Sequence, residues 1–482
     1  MDKNRKLISE LQDFFKNGDA GCAIDHISSV MGSLRIQNRV MGVSKRPNCK
    51  FTHVQVLQLM LIMSFFQVKN AYGYASSALH KLFVCQKDMF YRFLNNESVN
   101  WRGINYSVFR QLYSRVSQNT TKKREARCLI IDDTDLPKTG FRMEGIGKVF
   151  SHTEMKRILG FKAMFLCFTD GVSQFLLDSS LHGETGRDKE KPQGLKKEQQ
   201  RARYSRRRAP ESRAAQRGME YFTDKQQCAI SMLKRAITEG LRFEYLLVDR
   251  WFTCGGLLKF IKSRHFNCNL LGMVKMGNWK YVTKNGKKTA REIIDGLVKS
   301  KSVRHCRSIG YRTATIDVKV DGIAVKLLFF NKGNGDNWNA LLSSDLSLTP
   351  ERAFKLYSRR WTIEVAHRDM KQNLRLGKCQ SRDFAAQIAS VTICMLQYNI
   401  LSCVKRFSSY ETLGGLFAEA TKGTAELSVA EEIWLMILEV VGVIAEALGC
   451  DDMSLIEIAM RDSAKLRRLK RACSRLVSLA ID

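Results

Sequence analysis

Tyr357-Ser358-Arg359-Arg360-Trp361-Thr362-Ile363-Glu364-Val365-Ala366-His367-Arg368-Asp369-Met370-Lys371 is the stretch on which the reading of this chain turns. It lies in a segment from Pro350 to about Leu374 whose apolar periodicity predicts one long amphipathic helix. At about 100° per residue, Arg360 falls four before Glu364, Tyr357 seven before it and Lys371 seven after it, so all four share a face. A face used for core packing would be apolar. This one carries a phenol, two cations and a carboxylate, with Ile363 and Met370 to the side. By itself the pattern also suits a solvent-exposed ladder of ion pairs, worth only tenths of a kcal/mol per pair.

Two further carboxylates stand in matching contexts upstream. Asp132 follows the apolar run Cys128-Leu-Ile-Ile131, and Asp249 follows Tyr245-Leu-Leu-Val248. Each run predicts a buried strand that ends on an acid, and adjacent strand ends of an α/β sheet open into one crevice. Asp after a strand is also a common turn or helix-capping residue. Asp133 directly follows Asp132, and in an extended strand its side chain points to the other face.

Tyr-x2-Arg-x3-Glu-x6-Lys resembles the YREK signature of a large group of bacterial insertion-sequence transposases of the DDE type. The approach Leu341–Glu364 is similar to that group's strand and helix, the IIDDTDLPKTG block to its first-aspartate strand, and LLVDRWF to its second. The matching blocks span residues 127 to 400. The resemblance implies that Asp132, Asp249 and Glu364 are the catalytic metal ligands, with Asp133 as the alternative for the first, and that Tyr357, Arg360 and Lys371 contact DNA phosphates. It implies two Mg²⁺ or Mn²⁺ ions, hard cations that take oxygen ligands. It also implies cutting at terminal inverted repeats and joining of the 3′ ends to target DNA, by a homodimer that brings two transposon ends together. A nuclease of the same fold that does not integrate, and a decayed DNA-binding repressor, are the rival readings.

The implied fold is α/β: a ribonuclease-H-like catalytic core with a β-rich insertion, flanked by helical N- and C-terminal regions. The pattern along the chain agrees. Residues 1–120 read as helical, with Lys81, Lys87, Tyr91, Arg92 and Trp101 as candidates for a DNA-binding module. The first part of the core covers 127–275, with strands at Cys128–Asp132, Ala163–Thr169 and Gln174–Leu181, helix Lys225–Glu239, strand Tyr245–Asp249, helix Gly256–Ser263 and strand Asn269–Lys275. Residues 276–335 read as the β-rich insertion, 336–384 as the second part of the core, and 385–482 as a helical assembly layer. Trp361 reads as core packing and His367 as a possible DNA contact. Trp279 and Trp338 are the aromatics of the insertion that could meet a base.

Charge points to the same partner. The chain has 482 residues and 79 Lys plus Arg against 47 Asp plus Glu, a net +32 that calls for a polyanion. Double-stranded DNA is the first candidate and a membrane is not expected, because no stretch reaches the roughly 18 consecutive apolar residues of a spanning helix. The segment 183–217 gathers Lys196, Lys197, Arg201, Arg203, Arg206, Arg207, Arg208, Arg213 and Arg217 with no acidic run beside it, which predicts a mobile, phosphate-contacting loop. The fourteen cysteines show no Cys-x-x-Cys pair, so they read as reduced thiols of a cytoplasmic, nucleoid-associated bacterial protein without a zinc site.

Overall fold

The computed structural model describes residues 23–43, 49–77, 79–80, 84–118, 125–186, 188–263, 268–333 and 335–425. Lys81 and the helical layer expected beyond residue 425 lie outside them. The chain divides into two compact units.

The first unit combines residues up to 38, 44–93 and those from 403 on. It contains α1 (Ala23–Ser33), α3 (His53–Ile62) and most of α4 (Lys87–Leu94), with the short α2 (Asn38–Met41) at its boundary. A capping box starts α3: Thr52 accepts the Gln55 N–H while the Gln55 side chain accepts from Thr52. Phe65 packs against Phe417 at 5.4 Å and Tyr74 against Phe90 at 4.9 Å, so aromatics fill much of this small core. Lys87, Tyr91 and Arg92 are exposed on α4, as a binding face requires.

The second unit, 39–43 and 94–402, is built on one twelve-stranded sheet. It opens with α5 (Trp101–Gln118), which the boundary at residue 120 had grouped with the N-terminal region. Asn105 of α5 donates to the carbonyls of Leu176 and Leu177, and Trp101 is buried rather than available to DNA. Strands β1 (Cys128–Pro137), β2 (Gly147–Ser151), β3 (Lys156–Thr169) and β4 (Gln174–His182) then run antiparallel, β3 pairing with β1, β2 and β4. After α6 (Lys197–Arg201), α7 (Arg213–Phe222) and α8 (Lys225–Thr238), β5 (Tyr245–Val248) pairs parallel with β1. Helix α9 (Gly255–Ser263) leads to β6 (Asn269–Val274), parallel to β5.

The order β4-β3-β1-β5-β6, three antiparallel strands and then two parallel ones joined by helices, is the ribonuclease-H-like arrangement. Its central strands are apolar on both faces, the pattern of a sheet covered on both sides.

The β-rich segment is not a detached body. Strands β7 (Lys280–Thr283), β8 (Gly286–Thr289), β9 (Arg304–Cys306), β10 (Tyr311–Val320) and β11 (Ile323–Asn331), with α10 (Ala290–Lys299), extend the same sheet, and β12 (Asn339–Ser343) joins them to β6. Trp338 is buried here with Arg312 over its ring at 5.4 Å, so it anchors the insertion; Trp279 leans on Tyr281 at 5.2 Å.

The helix expected over 350–374 is two: α11 (Pro350–Ser358) and α12 (Trp361–Gln372). Thr349 caps α11 by accepting the Arg352 N–H, with Pro350 in the first turn. At the junction the amides of Arg359, Arg360, Thr362 and Ile363 bond three residues back instead of four. The Ser358 and Thr362 hydroxyls donate to the Lys355 and Arg359 carbonyls, and the Arg359 guanidinium is tied to Ala126 O and Glu125. Hydroxyls that take up helical carbonyls favour such a break. Last, α13 (Phe384–Arg406) is long and apolar enough to cross a membrane, yet 94% of its apolar stretch is buried inside the protein. Asn399 fixes it to β4 by donating to Leu176 O and accepting the Leu176 N–H.

The segment 183–217 is ordered by its own charges. Arg206 pairs with Asp383 at 2.9 Å, and Arg208 with both Glu144 and Asp383. Arg217 is buried, with its guanidinium donating to Ser179 O and meeting Glu220. These arginines are structural, which corrects the reading of the whole run as phosphate-contacting: the acids that compensate Arg206 and Arg208 are distant in sequence and adjacent in space, and the partner of Arg217 lies one helical turn on. Lys196, Lys197, Arg201, Arg207 and Arg213 do stay exposed.

Candidate active site

Asp132 sits where two pairings of β1 part company. The parallel ladder to β5 stops at Ile131–Val248, while the antiparallel ladder to β3 runs on to Pro137. The strand therefore does not end at Asp132 as its sequence suggested; only its β5 neighbour does, and that leaves the Asp132 side chain at an open sheet edge. The persistence of the strand sends alternate residues to opposite faces. Asp132 and Thr134 face α12, where Arg360 Nη1 lies 3.3 Å from Asp132 Oδ2 and Lys371 Nζ donates to Thr134 Oγ1 at 2.7 Å. Asp133 faces α8 and pairs with Lys225 at 2.7 Å.

Asp249 begins the loop after β5. Its Oδ1 accepts the Trp251 and Phe252 amides, each at 2.9 Å, so it is a turn-forming residue as well as a carboxylate beside the crevice. Thr253 Oγ1 closes the turn on Asp249 O at 2.7 Å. Gly272 of β6 makes room for it, since a Cβ there would stand 2.3 Å from Thr253 Oγ1 and 2.9 Å from Val248 Cγ2.

Glu364 is on α12, where Arg360 donates to it across one helical turn. Arg360 thus spans two carboxylates, Asp132 from the sheet and Glu364 from the helix. Its guanidinium also lies 5.9 Å from the Tyr357 ring centre, and the Tyr357 hydroxyl donates to Val248 O at 3.2 Å. Despite the break between α11 and α12, Tyr357, Arg360 and Lys371 of the motif all meet β1 or the end of β5, and Glu364 is joined to them through Arg360.

The electrostatics are those of crowded, half-dry acids. Burial raises the Asp132 carboxyl to about 7; Arg360 opposes the shift, and Asp133 and Asp249 add to it. Burial also pushes the Tyr357 phenol up to about 12, partly offset by Arg360, and lowers the Lys371 ammonium. Among the described residues, no three His, Cys, Asp or Glu side chains stand close enough together to share a metal ion. In kind the donors fit one: Asp132, Asp249 and Glu364 would offer hard oxygen ligands, and Asp132 and Glu364 already share a positive charge supplied by Arg360.

Two readings of α12 are reversed. Trp361 is 60% exposed and not core, whereas His367 is buried, its ring 5.1 Å from that of Phe165. The buried stripe is Ile363, Ala366, His367 and Met370, the i, i+3, i+4, i+7 set, and Trp361 is off it. Burial lowers the His367 pKa to about 3, so the ring is neutral and packs as an aromatic. Thr134, which with Asp132 fits the Asp-x-Thr pattern of the resembling group, is the partner of Lys371, a role that its alternation with Asp132 could have indicated. Lys225 is 92 residues from its partner and had no signal.

Residues 75–269 match the family model described as DDE superfamily endonuclease, and residues 223–400 match the Transposase DDE domain. Together the two run unbroken through every residue of the site. Residues 75–400 belong to the DDE superfamily of transposases and endonucleases. The chain is accordingly a DNA-cleaving enzyme of a family that depends on divalent metal. No curated protein matches the sequence.

Among solved structures, this DDE chain is similar to the piggyBac transposase synaptic complex with hairpin DNA, at 13% identity over 86% of this chain and 80% of that one, TM-score 0.41. It is also similar to the NurA nuclease from Sulfolobus solfataricus, at 9% identity over 53% and 81%, TM-score 0.24. Likenesses this distant say nothing of activity.

Proposed function

We propose that this DDE enzyme is the transposase of an insertion sequence of the YREK group, nicking DNA at terminal inverted repeats and joining the freed 3′ ends to target DNA. The observation that carries the reading is the Arg360 bridge, which brings the acid of β1 and the acid of α12 to one place. Asp132, Asp249 and Glu364 would hold two Mg²⁺ or Mn²⁺ ions, which when bound supply an activated oxygen nucleophile and stabilise the leaving oxyanion.

The protein's own groups do the rest. Arg360 presents a planar fork to phosphate oxygens, Lys371 a point charge, and Tyr357 one neutral hydrogen bond. Each now spends its donor on the protein, on Asp132 and Glu364, on Thr134 and on Val248 O, and each can exchange that partner for phosphate. The enzyme acts as a homodimer on double-stranded DNA, in the bacterial cytoplasm at the nucleoid, because two ends must be joined in one event.

A nuclease that does not integrate is the second reading, favoured by the endonuclease description of the model matching 75–269. A decayed repressor fits less well, since all three acids are present. Glu364→Ala should bind DNA ends and fail to nick them in Mg²⁺; unchanged nicking removes the assignment of the site. Pre-nicked ends incubated with a supercoiled target separate the two enzyme readings, because only a transposase joins them.

A further inference from the structure

Trp251 lies two residues beyond Asp249 and is 39% exposed, an unusual place to leave an indole. It is held there from three directions. Its backbone N–H donates to Asp249 Oδ1 at 2.9 Å, its ring meets the buried Phe252 edge-on at 4.7 Å, and Lys225 Nζ stands over the ring at 4.7 Å. Lys225 is itself fixed by Asp133 at 2.7 Å. Asp132, Asp133, Lys225, Trp251 and Asp249 therefore form one chain of contacts beside the end of β1, joined in turn by a peptide bond, an ion pair, a cation–π contact and a hydrogen bond.

We infer that Trp251 is a stacking platform for an unpaired base of the DNA strand beside the reacting phosphate, and that Asp133 and Lys225 are positioning residues that set its ring. This rests on the proposed site. The ammonium lies over the indole without enclosing it, and the 39% of the residue that stays exposed is available to a flat partner. A base offers a π-face whatever its identity, and stacking of this kind adds affinity without sequence preference. Only an unpaired base has that face free, and a strand end freed next to Asp132 and Asp249 supplies one. The adjacency of two aspartates thereby gains a reason: one serves the reaction face, the other holds the aromatic.

The test uses the full chain and a short oligothymidylate carrying one 2-aminopurine, with the same strand in a fully paired duplex as control. The wild type should quench the single-stranded probe more strongly than the duplex. Trp251→Ala should abolish most of the quenching and weaken binding by roughly tenfold or more, a loss typical of one stacked base. Trp251→Phe should restore much of both, and Asp133→Asn should give an intermediate loss. Quenching by Trp251→Ala equal to wild type, or none by the wild type, overturns the inference. Asp132→Asn keeps the two failures apart: it should quench normally and not nick. Nicking that depends on Asp132 while quenching ignores Trp251 removes only the platform; quenching that follows Trp251 while nicking ignores Asp132 removes the proposed site.

Discussion

Asp132 and Asp133 are neighbours in β1 whose carboxylates serve opposite faces of the sheet, Asp132 meeting Arg360 at 3.3 Å and Asp133 meeting Lys225 at 2.7 Å. A strand that had ended at Asp132 would have left the choice between them open. Because pairing with β3 continues to Pro137, the alternation holds, and only Asp132 looks toward Glu364.

The pair should separate cleanly in kinetics. Asp132→Asn is expected to lower Mg²⁺-dependent nicking by roughly 10³-fold, the effect of losing several kcal/mol of metal-borne stabilisation. Asp133→Asn should remain within about tenfold of wild type, since it loses an ion pair and no ligand. Single-turnover rates on one duplex measure both; equal losses would contradict the division of roles.

Asp132 also predicts a pH effect on stability. Its folded pKa is raised to about 7 from an ordinary value of 3.8, so its contribution is fully present below 3.8 and is lost as pH rises through 7. Urea unfolding in EDTA should show the wild type losing on the order of 2–4 kcal/mol relative to Asp132→Asn between pH 4 and pH 8. Parallel profiles for the two proteins would mean that the carboxyl is not held in this environment.

Arg207 and Arg208 should behave as opposites. Arg208 joins Glu144 to Asp383; Arg208→Ala takes the ion pair from Glu144 while Arg206 still holds Asp383, so it should cost about 1–3 kcal/mol of stability, with little change in the salt dependence of DNA binding. Arg207 is exposed, and Arg207→Ala should leave the melting temperature alone. If Arg207 contacts one phosphate, the log-affinity against log-salt slope should shrink by about 0.9. Titrations at several salt concentrations, paired with thermal melts, decide.

Gly272→Ala tests the turn that presents Asp249. The new methyl would meet Thr253 Oγ1 at 2.3 Å and Val248 Cγ2 at 2.9 Å, at the end of the strand that leads into Asp249. A loss of about 1–3 kcal/mol is expected, together with a fall in nicking. Thr253→Ala in the same chain should recover part of both, because it removes the nearer of the two contacts. Full activity in Gly272→Ala alone would show that the turn tolerates displacement.

Local pattern carried much of the fold. Apolar runs marked β5, β6 and the first half of β1, because strands buried on both faces are written as uninterrupted apolar sequence, while the polar half of β1 beyond Asp132 went unmarked. The short β2 and the break between α11 and α12 carried no comparable signal: the first is made by pairing with the start of β3, the second by hydroxyl and guanidinium contacts that periodicity does not register. Trp361 and His367 were exchanged because residue type was weighed above helical phase. The stripe through Ile363, Ala366 and Met370 includes position 367 and leaves out 361.

By itself the sequence determined which residues are chemically equipped for the site: Tyr357, Arg360, Glu364 and Lys371 at helical spacing, and an aspartate after each of two apolar strands. That spacing survives the break between α11 and α12 because local backbone hydrogen bonding holds the chain helical on both sides of it. Tertiary structure alone decided which aspartate of the first pair faces the helix, that Arg360 reaches Asp132, and that Arg206 and Arg208 belong to the protein's own acids. Those outcomes depend on contacts between segments 64 to 228 residues apart, where charge and strand register are settled by packing and not by neighbours in the chain.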